Sequence, residues 1–376
     1  MRISGFRTIC IFLFGSFLFS IPAQSIEPEA GLLLRLYSSD SSAGSERELP
    51  RGKAAGKDDL EGAGRLTLGV QAEPLDQVVL KLSLLSAARW GSDDEAIFEA
   101  GESFLKLENM AMLPFSVSVG RQTISWGRGL LFSSENGDHL FDMVSASWDT
   151  LPHRFDVCYA DPALSVFDSP VNHLWLARWF YQAEGRSSAE IFGGALSLEN
   201  DGKAAIAGLR GVYAPGPKWE TRAELAGEAG ERNPETDLSA LIADLGIARH
   251  FSKGRIQASW TWASGSDDEE NSFVPLFNGE RWGRLYDPPL SNIHIFTAYA
   301  VREITDALEL CSEYFSYWEA AGGKMLGSEI DLVASCELSE ALSLELSGCL
   351  FFTEEALRPL DDNTQSEIRL QMSFVF

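Results

Sequence analysis

The sequence predicts an all-β protein: an antiparallel up-and-down transmembrane β-barrel of about 18 strands, with both termini in the periplasm. Three observations carry this prediction. They are a final strand that alternates apolar and polar residues up to Phe376, a regular variation of loop length along the chain, and an export signal at the N-terminus.

The C-terminal segment 366–376 alternates without a break. Ile368, Leu370 and Met372 fall on one face of an extended strand, because side chains alternate with period two. A closed barrel pairs its last strand with its first and leaves such an apolar face to the lipid. The ending also resembles the C-terminal aromatic signal of bacterial outer-membrane barrels. We therefore expect segment 366–376 to pair with the first strand, at 30–37.

The N-terminus predicts export. Arg2 and Arg7 precede an apolar run over 9–21, and the small residues of Ala23-Gln24-Ser25 follow it. The run is shorter than the roughly 20 residues that a membrane-spanning anchor requires. We predict two regions: a cleaved signal peptide over residues 1–25, and an outer-membrane barrel over residues 26–376.

The amino-acid composition limits the classes of partner that the protein can bind. The chain has 45% hydrophobic residues and a net charge of −25, so nucleic acid is an improbable partner. The expected partners are outer-membrane lipids and lipopolysaccharide, the barrel-assembly machinery, and a hydrophilic solute. The cysteine spacing matches no metal motif, and the acidic loop runs lack the spaced ligands of a calcium loop. We predict no cofactor and no metal.

Loop lengths follow the parity of the predicted strands. The links after even-numbered strands are short, such as 214–217 and 252–254, whereas several links after odd-numbered strands are long, notably 38–64, 122–141 and 265–290. Short periplasmic turns alternating with longer outer loops are typical of outer-membrane barrels. A soluble β-sandwich, the alternative, has no reason to segregate its loops in this way.

The strand faces also sort into apolar and polar. Leu332 and the apolar residues two positions to either side of it would face lipid, while Glu329 and Asp331 would line the lumen. Aromatic residues fall near the predicted strand ends, where a membrane-interface girdle would lie: Trp90, Trp148, Tyr213, Trp219, Trp260, Trp262 and Trp318.

The same parity gives candidate pore-lining residues, and one loop segment gives candidate constriction residues. The glycine-rich segment 122–141 follows a short strand, and we predict that it folds toward the lumen; an ordinary outer loop is the alternative. The pore candidates are Arg65, Lys81, Arg121, Trp126, Arg128, Arg154, Arg178, Arg210, Arg222, Arg255 and Arg369. Inward acidic residues accompany them, so many of these arginines are candidates for wall ion pairs as well as for binding carboxylates.

A family resemblance rests on one segment above all. The run Gly120-Arg121-Gln122-Thr123-Ile124-Ser125-Trp126-Gly127, followed by Phe141-Asp142-Met143-Val144, resembles the alginate export family of bacterial outer-membrane porins. The segments 104–109, 274–277 and 281–284 also resemble that family's pattern. Where the family often has an aspartate after the motif glycine, this chain has Arg128 and Gly129. The resemblance implies an 18-stranded barrel and an anionic polysaccharide as a candidate solute.

These observations predict a passive outer-membrane channel for export or uptake of a hydrophilic solute, with alginate-like polysaccharide as one candidate. The alternatives are a general or small-molecule-selective porin, and a non-conducting structural or adhesive barrel. An enzyme is not expected, because the five histidines form no recognisable catalytic constellation and no G-x-S-x-G motif occurs.

Overall fold

The fold is known from a computed structural model that describes most of the region after the predicted signal peptide. The predicted signal peptide, residues 1–25, lies outside the described residues. The described residues are 26–40, 60–75, 77–90, 95–124, 126, 140–162, 171–183, 185–198, 202–233, 236–265, 282–286, 288, 290–353 and 364–375.

Eighteen strands within the described residues form one antiparallel sheet in which each strand pairs with its neighbours in sequence. The sheet closes because β1 also pairs with β18, for example Leu34 with Met372. The strands are β1 Ile26–Asp40, β2 Leu60–Leu75, β3 Val78–Trp90, β4 Glu95–Leu107, β5 Phe115–Gln122, β6 Phe141–Thr150, β7 His153–Pro162, β8 Val171–Gln182, β9 Ser188–Leu198, β10 Lys203–Tyr213, β11 Trp219–Asn233, β12 Thr236–Phe251, β13 Gly254–Ala263, β14 Ile293–Glu303, β15 Leu308–Glu319, β16 Met325–Ser339, β17 Leu342–Thr353 and β18 Thr364–Val375.

The predicted closed barrel and its strand count are confirmed. The strand bounds differ most at β1 and β2, which extend beyond the predicted 30–37 and 65–72. The added part of β2 contains Gly62 and Gly64, which pair with β1 and β3 through the backbone. Backbone pairing continues the sheet there although the side chains carry no alternating signal.

The barrel has two ends that differ in their links. At one end, here called the terminal end, β1 begins and β18 ends, and the turns are tight, as at 151–152 and 252–253. At the opposite end, here called the far end, lie the long links 41–59, 123–140 and 264–292. The far end also has short links, such as 234–235 between β11 and β12, so the predicted length difference holds for some links and not for all.

The two faces of the sheet sort as predicted. Leu332 and Ile256 are more than half exposed on the outer face, whereas Asp331 and Thr261 are buried on the inner face. Exposed aromatics lie near the strand ends on the outer face, including Trp148, Trp219, Trp260, Trp318 and Tyr213 of the predicted girdle. The side chain of Trp90 lies outside the described set. The outer surface is therefore apolar with aromatic borders, as lipid contact requires.

The inner face changes character along the barrel axis. Apolar side chains fill the far half, where Leu174, Ile242 and Ile295 of the wall are fully buried. They belong to one apolar cluster with residues of the far-end links: Ile124, Trp126, Trp282 and Leu290. Most of the charged side chains of the inner face lie in the middle and the terminal half, whereas Glu329 of β16 lies in the far half. No helix among the described residues has the length and apolar character needed to cross a membrane.

Candidate functional site

The candidate site is the inner wall, where arginines alternate with carboxylates on neighbouring strands. Arg178 on β8 contacts Asp156 on β7 at 2.6 Å and Glu190 on β9 at 3.6 Å. Asp156 also accepts hydrogen bonds from Arg154 Nε at 2.9 Å and from Ser147 Oγ at 2.6 Å. Because the register places these residues opposite one another on one face, the strands themselves assemble the network.

The network continues onto the next strands. Arg210 on β10 lies 3.9 Å from Glu224 on β11, and Arg222 on β11 lies 3.4 Å from Asp244 on β12. Thr261 Oγ1 on β13 donates a hydrogen bond of 2.7 Å to the buried Asp244. The arginines from β7 to β11 are therefore paired with wall carboxylates, which offsets much of their charge.

Three other predicted inward bases lie on separate parts of the wall. Lys81 on β3 contacts Glu102 at 3.2 Å, and Arg369 on β18 contacts Glu367 at 2.5 Å. Arg255 on β13 differs, because its guanidinium lies 5.0 Å from the ring centre of Tyr299 and it forms no ion pair with any described carboxylate. Among the predicted inward arginines whose side chains the structure describes, Arg255 is therefore the one whose positive charge is least balanced by a nearby carboxylate.

Arg121 does not line the lumen. Its register partners are Ser103 and Asp142, and Asp142 shares the outer face of β6 with the exposed Val144 and Trp148. The Arg121 guanidinium donates to both carboxylate oxygens of Asp142, at 3.0 and 3.2 Å. The prediction of Arg121 as a constriction residue is therefore wrong, because the register of β5 turns this side chain outward.

For two other predicted pore residues, Arg65 and Arg128, the structure does not describe the side chain. The backbone of Arg65 pairs with Leu33 of β1 and Ala87 of β3, but its side chain lies outside the described set. Arg128 lies wholly outside the described residues, as do most of its neighbours in the predicted inward segment 122–141.

The described part of that segment turns into the barrel. Ile124 and Trp126 are buried within the apolar cluster of the far half, against inward side chains of the wall. The guanidinium carbon of Arg178 lies 5.3 Å from the Trp126 ring centre, in a cation–π contact. The structure thus brings Trp126 and Arg178, two of the predicted site residues, together.

A second far-end link also enters the barrel, and sequence reasoning assigned it no role. Residues 282–286, in the link between β13 and β14, lie against β15, β16 and β17. The Glu329 carboxylate accepts hydrogen bonds from the backbone amides of Arg284, Leu285 and Tyr286, at 2.6, 2.8 and 2.9 Å. The Trp-Gly pair at 282–283 was visible in the sequence, but nothing in its spacing shows where the link docks.

Charged and aromatic side chains complete this contact. Arg284 Nη1 donates a hydrogen bond of 2.9 Å to Glu345 on β17. Burial acts to lower the pKa of the Arg284 guanidinium, but the carboxylates of Glu345 and Glu313 together raise that pKa above its ordinary value. Burial also raises the pKa of the Tyr286 phenol, whose ring stacks on Phe351. Arg284 therefore remains charged beside the wall.

The wall beneath this link is acidic. The inward residues of β15, β16 and β17 include Glu309, Glu313, Glu329, Asp331, Glu337 and Glu345, and none of the inward residues of these three strands is Lys or Arg. Most of the inward arginines described above lie from β7 to β13, and Arg369 lies on β18. The lumen thus has a section in which bases and acids are paired and a section in which acids predominate.

A closed barrel with an apolar outer face and a charged, partly occupied interior defines an outer-membrane channel of the porin type. The sequence profile of the alginate export family matches residues 85–322, which is more than half of the chain, and the chain belongs to that family. The match confirms the resemblance noted in the sequence. It places the protein in the outer membrane and points to a channel rather than an enzyme.

Solved porin structures share the fold. Pseudomonas aeruginosa OccK5 (OpdH) aligns with a TM-score of 0.65 at 13% identity, over 93% of this chain and 98% of that chain. P. aeruginosa OccK2 (OpdF), solved in complex with glucuronate, aligns with a TM-score of 0.64 at 14% identity, over 93% and 98%. Acinetobacter baumannii OccAB4 aligns with a TM-score of 0.64 at 13% identity, over 94% and 99%. No curated protein matches the chain in sequence.

Proposed function

We propose that the protein is a passive channel through which small hydrophilic solutes cross the outer membrane down their gradients. The observation that carries the proposal is the polar inner wall of a closed barrel whose outer face is apolar. The far half supports a small solute over a polymer, because Trp126 and Trp282 occupy space inside the barrel. Wall arginines that are already paired with Asp156, Glu224 and Asp244 have less charge to offer a polyanion.

An anionic polysaccharide such as alginate is the second candidate. It is supported by the family match and by the arginines on β7 to β13, whose planar guanidinium groups suit carboxylates. OccK2, a structural neighbour, was solved with a uronate, the acidic sugar type of which such polymers are made. Under this candidate, Arg255 is the base best placed to contact a passing carboxylate, because it has no ion-pair partner among the described residues.

The proposed pore residues follow from these contacts. Lys81, Arg154, Arg178, Arg210, Arg222, Arg255 and Arg369 would line the path, and Trp126 would narrow it. Arg65 and Arg128 stay predictions from the sequence. We further propose that residues 1–25 form a cleaved signal peptide, that the terminal end faces the periplasm, and that the barrel-assembly machinery inserts the chain among lipid and lipopolysaccharide.

Planar-bilayer recording tests the function. We expect conductance above that of the bare lipid, and in asymmetric salt we expect a weak cation preference because acids predominate on β15 to β17. Neutral and acidic oligosaccharides of equal length should then reduce the current to a similar extent. Selective block by oligouronates would favour the polyanion candidate instead, and a correctly folded barrel without conductance would overturn the channel proposal.

A further inference from the structure

One wall carboxylate holds a long link inside the barrel. Glu329 is fully buried on β16, and it binds three consecutive backbone amides of residues 284–286. Tyr317 on β15 adds hydrogen bonds from its hydroxyl to the carbonyl oxygens of Trp282 and Tyr286. Backbone groups of a link that enters a barrel need partners there, and these two side chains supply them.

The approach of the link to the wall is close enough to require glycine. A Cβ atom at Gly283 would lie 2.5 Å from Tyr286 O, 2.5 Å from Tyr317 Oη and 2.6 Å from Glu329 Oε2. Gly283 also has a φ of +153°, a conformation that L-residues rarely adopt. The contact between residues 282–286 and the wall therefore depends on Gly283 on one side and on Glu329 on the other.

The docked link lies against a part of the wall in which inner-face groups are buried. Cys349 lies on the inner face of β17, opposite Asp331 in the register, yet only 1% of it is exposed. Arg284 of the link forms its ion pair with Glu345 on the same strand. The link thus lies over the acidic section of the wall, and it adds a positive charge to that section.

We propose that Glu329 is a positioning residue that holds residues 282–286 against β15 to β17, and that this contact sets the width and the charge of the conducting path. The inference deepens the proposed channel function and rests on it for the conductance. When the contact is intact, Arg284 lies beside the acidic wall and Cys349 is shielded. When the contact is lost, the link leaves the wall and both the acids and Cys349 face the lumen.

Glu329→Ala tests the proposal by removing the acceptor of three amide hydrogen bonds. We expect a wider path with larger single-channel conductance and stronger cation preference. Labelling of Cys349 by a water-soluble methanethiosulfonate, followed by peptide mass spectrometry, should become faster by about tenfold or more, because three hydrogen bonds that hold the link are lost. Glu329→Gln keeps an oxygen acceptor and should show a smaller effect.

Glu337→Ala is the matched control, because Glu337 is an inward carboxylate of the same strand that is exposed and distant in register from residues 282–286. It should leave Cys349 protected. Gly283→Ala should reproduce the Glu329→Ala result from the link side, and it decides the question if Glu329→Ala fails to fold. A folded Glu329→Ala or Gly283→Ala barrel with the conductance and the Cys349 protection of the unmodified protein would overturn the proposal.

The two readouts separate this proposal from the channel function. If the unmodified barrel does not conduct, the channel function fails, but Cys349 labelling still decides whether Glu329 holds the link. If the barrel conducts and Cys349 is labelled equally fast in all variants, the result supports the channel function and contradicts the proposed role of Glu329.

Discussion

Asp156 illustrates how single residues stabilise the inner wall. Its carboxylate is buried, and it accepts hydrogen bonds from Ser147, Arg154 and Arg178 on three adjacent strands. A buried carboxylate of this kind is tolerated because its partners replace the water it has lost. Most inner-wall arginines that the structure describes serve such pairs, so their first role is in the scaffold.

Substitution of Asp156 tests this role. We expect Asp156→Ala to lower the free energy of unfolding by about 3 kcal/mol, because it leaves Arg154 and Arg178 without their shared partner. Urea unfolding in lipid vesicles measures the change. Asp149→Ala is the control, since Asp149 lies on the same face of the neighbouring strand, is exposed, and forms no ion pair with described residues. Equal losses in both variants would contradict the assignment.

At the scale of elements, the strands form the wall and two links decide how much of the interior is open. The link after β5 buries Ile124 and Trp126, and the link after β13 buries Trp282 and Leu290. Both links leave the far end and turn inward, where they pack on the apolar far halves of the inner faces. The apolar inner positions there are explained by this packing, since a water-filled channel alone would favour polar ones.

Trp126→Ala separates the effect of the first link from that of the wall. We expect higher conductance because the indole no longer fills the space beside Arg178, together with a loss of about 3 kcal/mol of stability from the buried contacts. Single-channel recording and urea unfolding give the two values. Trp148→Ala, which removes an indole from the outer face, should leave the conductance unchanged. An unchanged conductance in Trp126→Ala would show that this link does not narrow the path.

At the scale of the whole molecule, closure makes all eighteen strands interdependent. The pairing of β1 with β18 leaves no open edge, so every strand has two neighbours in the sheet. Closure also places the acid-rich inner face of β15 to β17 opposite β6 to β8, where Arg154 and Arg178 lie. The lumen charge is therefore a property of the closed barrel and not of any single hairpin.

A cross-link at the seam tests closure directly. Leu34 and Met372 are register partners, so cysteines at both positions, in a variant whose native cysteines are replaced by serine, should form a disulfide on mild oxidation. Gel mobility with and without reductant detects it. Cysteines at Leu34 and Leu350 are the control, because β17 does not neighbour β1, and they should stay unlinked. No cross-link at the seam pair would indicate an open sheet.

The sequence anticipated the strands better than the interior. Alternation located the strands and correctly assigned Leu332 to the outer face and Asp331 to the inner face. It does so because residues that face lipid must be apolar and residues that face the lumen are polar. The prediction for Arg121 failed because it rested on the position of Arg121 beside segment 122–141, whereas Arg121 shares the outer face of β5 with Val119. Alternation gave no role to Glu329 beyond lining the wall, because the partners of Glu329 lie far away in the chain.

By itself, the sequence determined the class of protein: alternation of period two sets the number of strands and the two faces, which are local properties of the chain. Only the tertiary structure decided what the interior contains. Whether a link turns inward, which arginine keeps a carboxylate partner, and where Arg284 lies all depend on contacts between residues far apart in sequence. Such contacts exist only once the sheet has closed, because closure brings distant strands and links to the same lumen.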